Sequence, residues 1–315
     1  MGVSKVSQKQ TQGDIEKAVK EQQEEKQEQK SPSGFRIFWR EILKDKLALV
    51  SLIFFVLITV VVFGASEILD KAEVTRVDPF NIYQPPSDEF LLGTDQGGRD
   101  IFGQLMIGTR NSLAIGFLVT LLSGIIGVVF GVVSGYFGGH IDNALMRVVD
   151  FFMVLPFIML VIVFVAIVPK YSIWTFSLIM TAFLWMGIAR LIRSKALQEK
   201  ELDYAQASRT LGSSHTKIIF KQVLPNITSL IVVTMTLNLA ANIGIESGLS
   251  FLGFGFPKDT PSLGTLLSYT TNPITLEERW WIWLPAAVLI LLLMLSVRNV
   301  GEALKRAADA RQRRA

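Results

Sequence analysis

The chain has no cysteine among its 315 residues, only two histidines, and charged side chains at just 18%. The first absence excludes a disulfide framework, thiolate metal ligation and a cysteine nucleophile. Two histidines, His140 and His215, are too few for most histidine-based centres, so no metal site is expected. No Gly-Lys dipeptide occurs, and without it the Walker A cradle for nucleotide phosphates cannot be built. The Gly-rich LGTDQGGRD stretch (92–100) lacks that lysine and reads as a turn. Scarce charge beside 50% hydrophobic residues and a mean hydropathy of +0.42 excludes an ordinary soluble domain. The net charge of +4 is not a nucleic-acid signal, because the basic residues sit at the ends of hydrophobic runs.

What is present is a series of such runs. Residues 1–34 form a Gln/Glu/Lys tail with six lysines and six acidic residues, expected to be a disordered cytoplasmic tail. It lacks the short apolar core of a cleavable signal peptide. In SGFRIFWREILKDK (33–46), Phe35, Phe38, Trp39 and Ile42 share one helical face while Arg36, Arg40 and Lys44 lie on another. That pattern predicts an amphipathic helix lying along the membrane before the first span. A bilayer core takes about 20 residues of helix. Six stretches qualify, near 47–65, 112–135, 148–168, 173–192, 227–252 and 280–297. The predicted organisation is a tail (1–34), an amphipathic helix with the first span (35–66), and an extracellular segment (67–111). A core of five spans (112–298) with a cytoplasmic loop (193–226) and a basic cytoplasmic tail (299–315) follow.

With the N-terminus inside, the cytoplasmic flanks from residue 36 onward hold 18 Lys and Arg against 7 outside, so both termini are expected in the cytoplasm. Trp280, Trp281 and Trp283 then anchor the last span at the outer surface. Within span two, Gly127, Gly131 and Gly135 make two successive G-x-x-x-G steps that suit close helix packing, with a pore-lining role as the other reading. In span five, Asn238, Asn242 and Glu246 recur every four residues. Such a stripe must face other helices or a water-filled path, so interhelical hydrogen bonding and a place on a translocation path both fit it. Asp150 is expected to pair with Arg147, one turn earlier.

The loop 193–226 has no catalytic chemistry. Its first part is rich in helix formers and ends at Gly212, a suitable C-terminal cap. Ser213 or Ser214 can cap a second helix, and Pro225 is expected to break the chain before span five. The small residues Ala205, Ala207 and Ser208 would let another protein approach closely. From composition alone, a docking knob and a passive solvated loop remain open.

The spacing Gln206-Ala207-Ser208, three residues, Gly212, nine residues, Gln222-Val223-Leu224-Pro225 resembles the EAA loop of ABC importer permeases. That loop reads E-A-A-x3-G-x9-I-x-L-P, so Gln206, Ser208 and Gln222 depart from it. LLGTDQGGRDIFGQLMIGTRNSL (91–113) and ESGLSFLGFGFPKDTPSLG (246–264) resemble two signatures of the second permease subunit of oligopeptide, dipeptide and nickel importers. The second puts Glu246 on the family's glutamate, while Lys258 and Leu263 depart from its proline and tryptophan. The resemblance covers about residues 35–305.

It implies an all-α integral membrane fold, the six-helix transmembrane domain of a type I ABC importer, in a bacterial cell membrane. It implies a heterodimer with a homologous permease, two ATPase subunits and an extracellular substrate-binding lipoprotein. Tyr204, Ala205, Gln206, Ala207, Ser208, Gly212, Leu224 and Pro225 would form the ATPase-coupling loop. The chain would bind no cofactor and catalyse nothing, with ATP and Mg used by the partner subunits. Oligopeptides or dipeptides are the implied cargo, with nickel or another small solute as the alternative. An ion-coupled secondary transporter is the rival class. It would show inverted repeats and several intramembrane ionisable groups, where only Glu246 lies deep enough.

Overall fold

A computed structural model of the chain describes residues 42–168, 172–257 and 260–312. The tail 1–34, residues 33–41 of the expected surface helix and the last three residues lie outside the described residues. The described chain is helical, and its single β-type pairing is an isolated bridge between Thr94 and Asp100. In order, the helices are α1 (Lys46–Ile68), α2 (Lys71–Val74), α3 (Ile101–Phe137), α4 (Gly139–Val154), α5 (Phe157–Ile167) and α6 (Ile173–Lys200). Then come α7 (Asp203–Thr210), α8 (His215–Ile218), a π-helical turn (Ile219–Val223) and α9 (Leu224–Phe251). The chain closes with α10 (Leu263–Leu267), a 3₁₀ turn (Ser268–Thr271), α11 (Pro273–Glu278) and α12 (Trp280–Gln312).

Five rods are long and apolar enough to cross a bilayer: α1, α3, α6, the run from α8 through α9, and α12. The expected third span, 148–168, is covered by α4 and α5, which meet at an angle of 81°. Pro156 explains the bend. Its ring pushes Leu155 out of helical conformation, to ψ 138°, and the helical hydrogen bonding lapses there. Pro225, by contrast, does not break the chain as expected. The π turn before it widens the helix, Leu224 N–H reaches back five residues to the Ile219 carbonyl, and the rod continues without interruption.

Helix α3 is the axis of the bundle. It starts eleven residues before the expected boundary of 112, capped by Asp100, whose carboxylate accepts from Phe102 N at 3.2 Å and Gly103 N at 2.8 Å. Its side chains enter three separate apolar clusters: Leu113 with α9, α10 and α12; Ile115 and Val119 with α5 and α6; Val132 and Tyr136 with α6 and α7. The glycine stripe faces α6 and is packing in this structure. A methyl on Gly131 would lie 2.7 Å from the Ala189 carbonyl oxygen, and one on Gly135 2.5 Å from that of Arg193. The two backbones touch, and a side chain on either glycine would part them.

Ion pairs fasten the remaining elements. Asp142 of α4 is bound by Arg193 of α6 and by Ser134 of α3. Asp150 pairs with Arg190 across to α6 at 2.5 Å, rather than with Arg147 as its spacing suggested. Before the bend at Pro156, α4 meets α6 through both of these pairs. Where α1 begins, Asp45 caps the helix through Leu47 N at 3.0 Å and also holds Arg306 of α12.

The glycine contact is measurable. Gly131→Ala is expected to cost about 1–3 kcal/mol by overpacking, lowering the Tm of the purified protein by roughly 2–4 °C per kcal/mol. Gly187→Ala on α6, with nothing within 4 Å of the added methyl, should leave Tm unchanged or slightly raised. Equal Tm values for the two variants would refute the contact.

Candidate functional site

The loop after α6 folds into a compact knob held from below. Helix α7 ends in a Schellman closure: Gly212 has φ +78°, its N–H reaches the Arg209 carbonyl, and Ser213 N–H reaches that of Ser208, each at 3.0 Å. Ser214 caps α8 through Lys217 N at 3.4 Å. Tyr204 is the main fastening. Its hydroxyl donates to Glu199 at the end of α6 and accepts from Asn226 Nδ2 at 2.8 Å. His215 Nδ1 lies 2.9 Å from the Tyr136 hydroxyl, tying α8 to the end of α3.

The structure separates the predicted loop residues by direction. Ala205 faces inward, 4% exposed, among Ile192, Ala196, Ile218 and Val223, so it offers no surface to a partner. Ala207 and Gly212 face solvent, as do Leu211 at 86% and Phe220 at 65% exposure. Leu224 and Pro225 open α9. All three departures from the EAA pattern make hydrogen bonds within the chain. Gln206 donates to the Lys200 carbonyl and to Glu201 Oε2, each at 3.2 Å, and a glutamate could not donate to that carbonyl. Ser208 accepts from Gln222 Nε2 at 2.5 Å, so two of the substitutions touch each other.

The polar stripe of α9 turns toward the bundle. Asn242 is buried and donates to Thr120 Oγ1 at 2.8 Å, while Asn238 bonds its own helix at the Thr234 carbonyl. Glu246 is completely buried and accepts from Ser250 at 2.7 Å and Ser247 at 3.3 Å. The segment 261–264 closes over it, where Gly264 lies so near that a methyl would reach the Ser247 carbonyl at 2.2 Å.

At the opposite end from the knob, the 92–100 loop is a knot built on buried Asp95. One carboxylate oxygen accepts from Gly97 N at 2.7 Å and Arg99 N at 3.1 Å. The other accepts from Arg99 Nε at 2.9 Å, and from Gln104 Nε2 and the Tyr269 hydroxyl at 3.0 Å each. Arg99 Nη2 donates back to Tyr269 at 3.0 Å. Burial, and then the Asp95 charge beside it, hold the Tyr269 hydroxyl above the ordinary tyrosine range. These residues were not among the expected site residues. The resemblance of 91–113 marked Asp95 and Arg99 in sequence, but nothing there pointed to Tyr269, 170 positions beyond Arg99. Among the described residues, no cluster of three or more His, Asp and Glu is placed to hold a metal ion.

Apolar rods long enough to cross a bilayer, with a compact knob at one end, define a helical membrane protein. Residues 127–310 match the family described as binding-protein-dependent transport system inner membrane component, and residues 33–86 match the N-terminal transmembrane domain of oligopeptide transport permease C. The chain belongs to this family of transport permeases. It is 45% identical over 289 residues to an oligopeptide transport system permease protein OppC of Lactococcus lactis subsp. cremoris, covering 91% of this chain and 98% of that one. It is 36% identical to a dipeptide transport system permease protein DppC of Bacillus subtilis, covering 88% and 85% respectively. Among solved structures, an inward-facing MetNI methionine ABC transporter shares the fold with a TM-score of 0.54 and 23% identity, covering 66% of this chain and 97% of that one.

Tyr204 offers a spectroscopic check on the fastening. Burial, and then its bond to Glu199, push its hydroxyl up to about 12. The fold therefore favours the protonated form, and that contribution is complete below the free tyrosine value of about 10. It is lost as pH rises from there through about 12. The tyrosinate absorbance difference between the native protein and Tyr204→Phe should stay flat through pH 10 and rise toward about pH 12. A rise centred near pH 10 would show Tyr204 free of Glu199.

Proposed function

We propose that this chain is one of two permease subunits of an ATP-driven importer of short peptides, with the 203–225 knob as its contact with an ATPase. The observation that carries this reading is the knob itself. It has the EAA spacing, is closed by Gly212 and clamped by Tyr204, and presents Leu211 and Phe220 outward. Exposed apolar side chains on a rigid scaffold are what a docking protein engages. The peptide cargo is supported by the relatives, which are oligopeptide and dipeptide permeases along nearly their full lengths.

In this reading ATP and Mg²⁺ are bound and used by two partner ATPases, and the chain contributes no catalytic group. The excess of Lys and Arg flanking the knob supports placing it, with both termini, in the cytoplasm. A second permease would complete the translocation path, and an extracellular binding protein would deliver the cargo. Closure of the ATPases pushes on α7, which is fastened to α6, α8 and α9. The rods then tilt together between inward- and outward-open arrangements.

Two outcomes test this. Uptake by the assembled complex in vesicles should require ATP and survive collapse of the ion gradient; the reverse dependence would establish a secondary transporter. Gly212→Leu should abolish co-purification of the ATPase subunits. Nothing among the described residues lies within 4 Å of an added Cβ there, and the left-handed backbone costs about 1–2 kcal/mol. The permease should therefore still fold, and normal co-purification with normal uptake would show that the knob does not dock.

A further inference from the structure

The end of the bundle opposite the knob holds a cavity of about 470 Å³. Its walls come from the Asp95 knot, the last turn of α9 and the segment 261–275. Its volume suits a small ligand. The lining is divided between polar and apolar groups, with Gln96, Gln104, Ser268 and Asn272 supplying uncharged donors and acceptors. Among the described residues, Arg99 is the one charged side chain facing it.

The electrostatics of Arg99 are unusual for a paired arginine. Its partner Asp95 is fully buried and shares its charge among five donors: two backbone N–H groups, Arg99 Nε, Gln104 and Tyr269. The carboxylate is thus satisfied by five donors and engages the guanidinium only through Nε. Arg99 spends Nε on Asp95 and Nη2 on Tyr269, leaving Nη1 without a partner among the described residues. Planarity then aims an unspent, rigidly held pair of N–H donors from an arginine whose side chain is 14% exposed.

We propose that this cavity is a receiving station for the end of a short peptide, in which Arg99 takes the C-terminal carboxylate and the neighbouring amides and hydroxyls take the main chain. The inference rests on the peptide reading above. Among the described residues, a lining of uncharged donors and acceptors around one fixed cation matches the main chain and terminal carboxylate that all peptides share. The station is also joined mechanically to the knob. Ser250, which lines the cavity, donates to Glu246 at 2.7 Å. Both lie near the outer end of the rod that starts at His215 beside the knob. That rod is 37 residues long, or about 55 Å at 1.5 Å per residue. Filling the cavity and docking an ATPase therefore load opposite ends of one helix.

The test uses the full complex, with its second permease, ATPases and binding protein, reconstituted in vesicles. The probes are a labelled tripeptide and the same tripeptide amidated at its C-terminus. Arg99→Gln alone would strand a buried carboxylate, so it is combined with Asp95→Asn. Comparing each variant with the native complex cancels the selection made by the binding protein. The native complex should favour the free acid, and Asp95→Asn/Arg99→Gln should cut that preference about tenfold or more, the worth of a hydrogen bond to a charged group. Ser268→Phe, which fills the cavity while leaving every group bonded to Asp95 in place, should raise KM for both forms. An intact preference in the double variant, or an unchanged KM in Ser268→Phe, overturns the proposal while leaving peptide import standing. If the double variant fails to assemble, the KM of Ser268→Phe decides alone. Failure of the native complex to import either form would overturn the peptide reading, and this inference with it.

Discussion

The contact on which the rest depends is the meeting of two backbones, α3 and α6, along Gly127, Gly131 and Gly135. A membrane offers little hydrophobic drive to bring helices together, so close packing must come from surfaces that fit. Here the absence of side chains creates the fit, and a methyl at any of the three would meet Ile188, Ala189 or Arg193 at under 3 Å. The consequences spread from both ends of that seam. At one end α6 runs on past the bilayer to Glu199, which holds Tyr204. There too α3 ends at Tyr136, which meets His215. Toward the other end α3 carries Asn111, whose amide donates to the Pro261 carbonyl at 2.8 Å and supports the segment over Glu246.

Much of the architecture was legible from hydropathy, because long apolar helices satisfy their own backbones and need no partner to be recognised. The knob was legible through spacing, since Gly212 at the end of a run of helix formers has a local meaning independent of the fold. The prolines were not legible. Pro156 lies inside the expected span 148–168 and Pro225 just before the expected span 227–252, where a break would be looked for. One follows Leu155 in extended conformation and bends the chain by 81°. The other follows Leu224 at φ −57° and ψ −47°, and a π turn absorbs it. The difference lies in what surrounds them, since packing of Ile218, Ile219 and Val223 against α6 and α7 holds the second in line.

Pairings across the fold were equally hidden. Asp150 sits three residues from Arg147 but bonds to Arg190, forty positions away. A helix-surface rule favours the near partner; the meeting of α4 with α6 supplies the far one. Gln206, Ser208 and Gln222 departed from a recognised pattern for reasons the pattern does not contain. Gln206 donates to a carbonyl at the end of α6, and the other two answer each other across the loop.

The bond between Asp45 and Arg306 joins groups 261 positions apart, and Asn299 reaches Ser51 across the same pair of helices at 3.1 Å. The start of the first span is therefore fastened by the last one made. During synthesis α1 enters the bilayer and can pack on α3 first, while its bonds to Arg306 and Asn299 form only once α12 follows.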